Sequence, residues 1–171
     1  LGVDMLSASA HKFNGPKGVG FLYIRNGIEI LPYSDGGAQE SGLRAGTENI
    51  AGIVGMAVAL KNNCDALEEN VKHVRGLESK LVDMLDNTGI QYTRNGGADR
   101  LPGLVSLSFP GIEGEAILHR LDLNGICVST GSACNSKSTE VSHVLQAIRL
   151  EDSYAKGTIR ISLGKANTED E

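Results

Sequence analysis

SAHKFNGPKG, residues 9–18, lies between two short apolar runs and holds three side chains that chemistry can use: Ser9, His11 and Lys12. The run before it, Val3 to Ala8, and the run after it, Val19 to Ile24, each have the length of a strand. Its Asn-Gly-Pro centre is turn chemistry. Two readings stand side by side. One is a surface turn joining two strands. The other is a lysine held at a strand end as a Schiff base to an aldehyde cofactor, with Ser9 and His11 donating to that cofactor's phosphate. A covalent lysine needs a rigid support and neighbours that lower its pKa, and the residues stand in that order here.

Further along, GGAQESGLRAGTEN (residues 36–49) forms a glycine-rich loop ahead of a helix expected to begin near Thr47 or Glu48. Ile50, Ile53, Val54, Ala57 and Val58 would give that helix one apolar face. Thr47 is a good capping residue, which explains the run as a loop and a helix start. The same features, a hydroxyl beside free N–H groups with Arg44 close by, also suit a phosphate.

From Leu67 onward the pattern changes. Leu67, Val71, Val74, Leu77, Leu81 and Leu85 recur every three or four residues, which predicts a long amphipathic helix. Leu104 to Phe109 alternates as a half-buried strand does, Glu113 to Leu123 reads as a helix, and Ile126 to Ser129 as a short strand. A loop of small residues, VSTGSACNSKS (128–138), precedes a helix with Val141, Val144, Leu145 and Ile148. Thr158 to Leu163 alternates again. The expectation is an α/β fold in two parts: a glycine-rich α/β segment over residues 1–62 and a small α+β domain over 63–171.

Composition narrows the function. Net charge is −5 with no basic block, which argues against nucleic acid as a partner. No apolar run approaches the roughly 18 residues a membrane span needs. Cys64, Cys127 and Cys134 cannot all pair and show no C-x-x-C spacing, so a reducing, cytoplasmic setting is expected rather than a disulfide or zinc framework. Leu1 to Ser7 has no basic start of the signal-peptide kind. The chain opens as if inside a strand and closes on Asn167 to Glu171, the pattern of a first helical turn, so it reads as a piece of a longer protein.

Two more residues are candidates. In Thr158 to Ser162, Arg160 shares a strand face with Thr158 and Ser162, opposite Ile159 and Ile161. It is a solvated edge charge or, if that face lines a cleft, a two-point ligand for a carboxylate. Cys134 has only small neighbours to bury it, and an exposed thiol is a reactive one. An incidental exposed cysteine fits the composition as well. Cys127 reads as a small core residue, and Cys64, His119 and His143 as structural.

Taken together, SAHKFNGPKG, GGAQESGLRAGTEN, STGSACNS and TIRISLGK, in that order over nearly the whole chain, resemble the cysteine desulfurases of the NifS/IscS type. These belong to the fold-type I, aspartate aminotransferase-like enzymes that use pyridoxal 5'-phosphate, and the match is to their C-terminal half. The resemblance implies that residues 1–62 are the last part of the cofactor-binding large domain and 63–171 the small domain with the catalytic-cysteine loop. Lys12 would hold the cofactor's aldehyde and later transfer protons, and Ser9 and His11 would hold its phosphate. Thr47 would reach the phosphate of the neighbouring subunit's cofactor in a homodimer. Arg160 would bind the carboxylate of L-cysteine. Cys134 would take the substrate sulfur as a persulfide, leaving L-alanine, and pass it to an iron-sulfur scaffold or other acceptor protein. Departures are modest: Ala38, Ala45, Thr130 and Asn135 replace the usual residues, and none removes a reacting group. The family's N-terminal half supplies further cofactor contacts, so the piece alone is expected to be inactive. Alternatives are a selenocysteine lyase, another class V aminotransferase-like enzyme, or a non-catalytic scaffold-docking module. Cys134 argues against the aminotransferases, and Lys12 with Arg160 argues against the docking module.

Overall fold

The computed structural model describes residues 2–130 and 141–171. They form two compact units, Leu1–Leu67 and Glu68–Glu171. The expected boundary at residues 62 and 63 falls inside a helix, and the division comes just after it.

The first unit is built on an antiparallel hairpin. Strands β1 (Met5–Ser9) and β2 (Gly20–Ile24) pair from Met5↔Ile24 to Ser9↔Gly20. Between them the chain makes a single 3-10 turn, Ala10–Phe13, closed by Asn14 in the left-handed region at φ 65°. Ala10 is fully buried, donates to Val19 O at 2.9 Å and accepts from Gly15 N at 2.8 Å. A Cβ on Gly15 would lie 2.9 Å from that of Ala10, so only glycine lets the turn fold back this closely.

Helix α1 (Ile50–Asp65) packs on this turn through its small residues. A Cβ on Gly55 would sit 2.8 Å from Pro16 Cγ, and the Asn63 amide donates to Phe13 O at 2.7 Å. The predicted apolar stripe points elsewhere: Ile50, Val54 and Val58 are 64%, 58% and 54% exposed. Gly52, Gly55, Ala59 and Asn63 share the other face at helical spacing, and a turn of Gly and Pro accepts only such small groups. The helix also starts later than expected. Its cap is Asn49, whose side chain accepts from Gly52 N at 3.1 Å, rather than Thr47. Asn and Thr are both good caps, and the local path of the loop selects between them.

The second unit opens with α2 (Leu67–Thr88), the long helix foreseen from its spacing. Strands β3 (Thr93–Arg94), β4 (Leu104–Ser108) and β5 (Thr158–Ser162) form an antiparallel sheet in that order, with Ser106 opposite Arg160 and Ser108 opposite Thr158. Helix α3 (Gly114–Asp122) follows β4; the short helices α4 (His143–Ala147) and α5 (Asp152–Ala155) precede β5. The core is Val105, Leu107 and Ile159, with Leu81, Leu85, Ile117, Leu121 and Val128 against it. Full burial of an aliphatic side chain such as Val105, Leu107 or Ile159 contributes about 1.5–3 kcal/mol, and the partly buried neighbours contribute less.

Two expectations fail in this unit. Val128 turns into the core, so Cys127 beside it points the other way and is exposed rather than buried. The Ile126–Ser129 run contributes one bridge, Ser129↔Arg160, instead of a strand. At the end of the chain, Glu171 reaches back to Thr168 N at 3.0 Å, the return bond of a capping box, without a helical turn forming. Lys80 and His73 of α2 fasten that segment through Glu169 and the Asn167 carbonyl.

Candidate active site

Ser9, His11 and Lys12 are brought together by one turn. Ser9 ends β1 with extended backbone (φ −98°, ψ 130°) and occupies the capping position of the 3-10 turn, yet its hydroxyl caps nothing. His11 and Lys12 follow inside the turn, both exposed. None of the three side chains makes a hydrogen bond or ion pair among the described residues. Lysines elsewhere are engaged, Lys61 with Asp65 and Lys80 with Glu169. The buried Ala10 between Ser9 and His11 anchors the turn from below, so a rigid backbone presents three uncommitted polar groups.

Thr47 belongs to the same unit, in the loop before α1, and is also exposed, its hydroxyl without a partner among the described residues. The loop around it is braced by its own side chains. Arg44 donates to Gly46 O at 2.9 Å, and Gln39 Oε1 accepts from Gly46 N at 3.3 Å. Arg44 is thus a strut of this loop.

Arg160 belongs to the second unit, at the centre of β5 and half-buried. It stands in register with Ser106 of β4, and its backbone N–H and C=O make a two-way bridge to Ser129 (3.0 and 2.6 Å). Just beyond Ser129, the Thr130 hydroxyl donates to Glu115 of α3 at 2.8 Å. The guanidinium has no partner among the described residues. Cys134 lies outside the described residues.

Sequence reasoning missed the polar ladder on the Arg160 face. The Asn95 amide bridges Ser106 and Ser108 at 3.0 and 2.7 Å, Ser108 meets Thr158 at 2.7 Å, and Thr158 reaches the Tyr154 carbonyl at 3.2 Å. Ser108 has no exposed surface, although alternation marked it as a solvent-side residue. Its hydroxyl partners are set by strand register, which no local pattern encodes. Among the described residues no group of His, Cys, Asp and Glu could hold a metal ion, and no helix is long and apolar enough to cross a membrane.

The family model of the class-V aminotransferases matches residues 1–171. The chain belongs to the class-V aminotransferase family. Within that family it is similar to a cysteine desulfurase IscS from Dictyoglomus turgidum, at 46% identity over 172 residues, covering 100% of this chain and 44% of the relative. A cysteine desulfurase from Klebsiella pneumoniae is 47% identical over 99% of this chain and 43% of its own length. Among solved structures, a NifS-like protein superposes with a TM-score of 0.86 at 45% identity, over 99% of this chain and 43% of that one. The chain therefore spans less than half the length of these class-V relatives. The fold is that of the NifS-like, fold-type I enzymes.

Enzymes of this family depend on pyridoxal phosphate. The donor set of the first unit fits that group chemically: a hydroxyl and an imidazole suit a phosphate, an amine suits an aldehyde, and none of the three is engaged among the described residues.

Proposed function

We propose that this chain is the C-terminal part of a pyridoxal-phosphate-dependent cysteine desulfurase that converts L-cysteine to L-alanine and supplies sulfur for iron-sulfur cluster assembly. The observation that carries the reading is the rigid turn offering Ser9, His11 and Lys12 unengaged, in a chain of this family. Similarity to relatives named cysteine desulfurase supports the choice of reaction.

Each residue then has a task. Ser9 and His11 hold the phosphate, joined by Thr47 from the neighbouring subunit of a homodimer. Lys12 holds the aldehyde and moves protons at its Nζ. When bound, the cofactor supplies the electron sink that loosens bonds to the amino acid's α- and β-carbons. Arg160 receives the substrate carboxylate with its planar fork. Cys134 Sγ attacks the substrate sulfur; the Cβ–S bond breaks, an S–S bond forms, and the substrate carbon gains a proton. L-cysteine and a thiol thus become L-alanine and a persulfide, with atoms and electrons balanced. A carrier among small residues can next offer that sulfur to an acceptor protein, in the cytoplasm on this reading.

Borohydride reduction of the full-length protein, followed by peptide mapping, tests the cofactor assignment. The expected result is a pyridoxyl group on Lys12; a label on another lysine, or none, contradicts it.

A further inference from the structure

The direction of every hydrogen bond in the polar ladder follows from its end. Tyr154 O is a carbonyl and only accepts, so Thr158 spends its proton there. Ser108 must then donate to Thr158, and can only accept from Asn95. That turns the nitrogen of the Asn95 amide, not its oxygen, toward the sheet, and the same nitrogen donates to Ser106 Oγ. The proton of the Ser106 hydroxyl is left with no acceptor among the described residues.

Ser106 stands directly across from Arg160 in the β4–β5 register. Their side chains share one face, with Cβ atoms about 5 Å apart. Both residues are half-buried, and the guanidinium also lacks an acceptor among the described residues. Two neighbouring donors without an acceptor suit a group with two oxygens and several lone pairs, which is a carboxylate. We propose that Ser106 is a second carboxylate-binding residue, so that the substrate's α-carboxylate accepts from the Arg160 guanidinium and the Ser106 hydroxyl together. Asn95 is a positioning residue: by occupying one lone pair of Ser106 Oγ it turns the hydroxyl proton away from the ladder. This inference rests on the role given to Arg160.

The test uses the full-length holoenzyme and two probes, L-alanine and its carboxylate-free counterpart ethylamine, with binding followed through cofactor absorbance. Ser106→Ala is expected to weaken L-alanine binding roughly tenfold, the scale of one hydrogen bond to a charged group. Ethylamine binding should stay within about twofold, and Ser106→Thr should recover most of the loss. If Ser106→Ala does not fold, Ser106→Cys takes its place with the same expected split. Equal weakening of both probes, or no weakening of either, overturns the inference while Arg160→Ala still weakens L-alanine selectively. If Arg160→Ala also leaves L-alanine binding unchanged, the carboxylate role of Arg160 falls with it.

Discussion

Lys12 stands out because the fold leaves it unclaimed: it follows a strand, sits on a turn fixed by the buried Ala10, and has no acid beside it among the described residues. That much was legible in the order Ser-Ala-His-Lys after an apolar run. Thr47 was harder, since threonine and asparagine both cap helices, and Asn49 took the role. Asn95 was not legible at all, because its two partners come from strand pairing across the unit. Away from the site, the Tyr92 phenol is raised above its usual 10.0, first by its hydrogen bond to Asp86 and then by burial. A raised acid favours the protonated form in the folded state, so its stabilisation is present below pH 10 and is lost as pH rises through the folded pKa. Because this hydrogen bond is exposed to solvent, Tyr92→Phe should cost less than about 1 kcal/mol at pH 7, and the difference should shrink in strong base, read from urea denaturation at both conditions.

Helix α1 shows how a correct pattern can be assigned to the wrong neighbour. Its apolar residues recur at helical spacing, and the helix is there. The hairpin turn nevertheless takes the glycine face and leaves Ile50, Val54 and Val58 exposed. Hydrophobic periodicity reveals which residues share a face but not which face is covered within the chain. Helix α2 is the contrast, because Val74 and Leu77 of its stripe are buried in the same unit. At the start of α1, Asn49→Ala should cost about 1 kcal/mol, since Gly52 N loses its acceptor. Asn49→Ser should cost only a few tenths, with thermal unfolding of the full-length protein as the readout.

At the scale of the whole molecule, the chain covers about 44% of a relative such as the Dictyoglomus turgidum enzyme, and the proposed activity belongs to the longer protein. On the proposed reading, the open apolar stripe of α1 is a surface that the rest of a full-length protein would cover. Val54→Asp should change the stability of the 171-residue chain by less than about 0.5 kcal/mol, yet cost roughly 2 kcal/mol or more in the full-length protein. Equal effects in both would remove that role. The four stretches that carry the resemblance are spread from residue 9 to residue 165, so the family was readable from their order. The proposed activity calls on Lys12, Arg160 and Cys134. Its most direct test is Cys134→Ala in the full-length protein, with alanine and sulfide formed from L-cysteine measured while cofactor absorbance is recorded. Turnover lost with the cofactor absorbance intact is the predicted result; turnover unchanged contradicts the account.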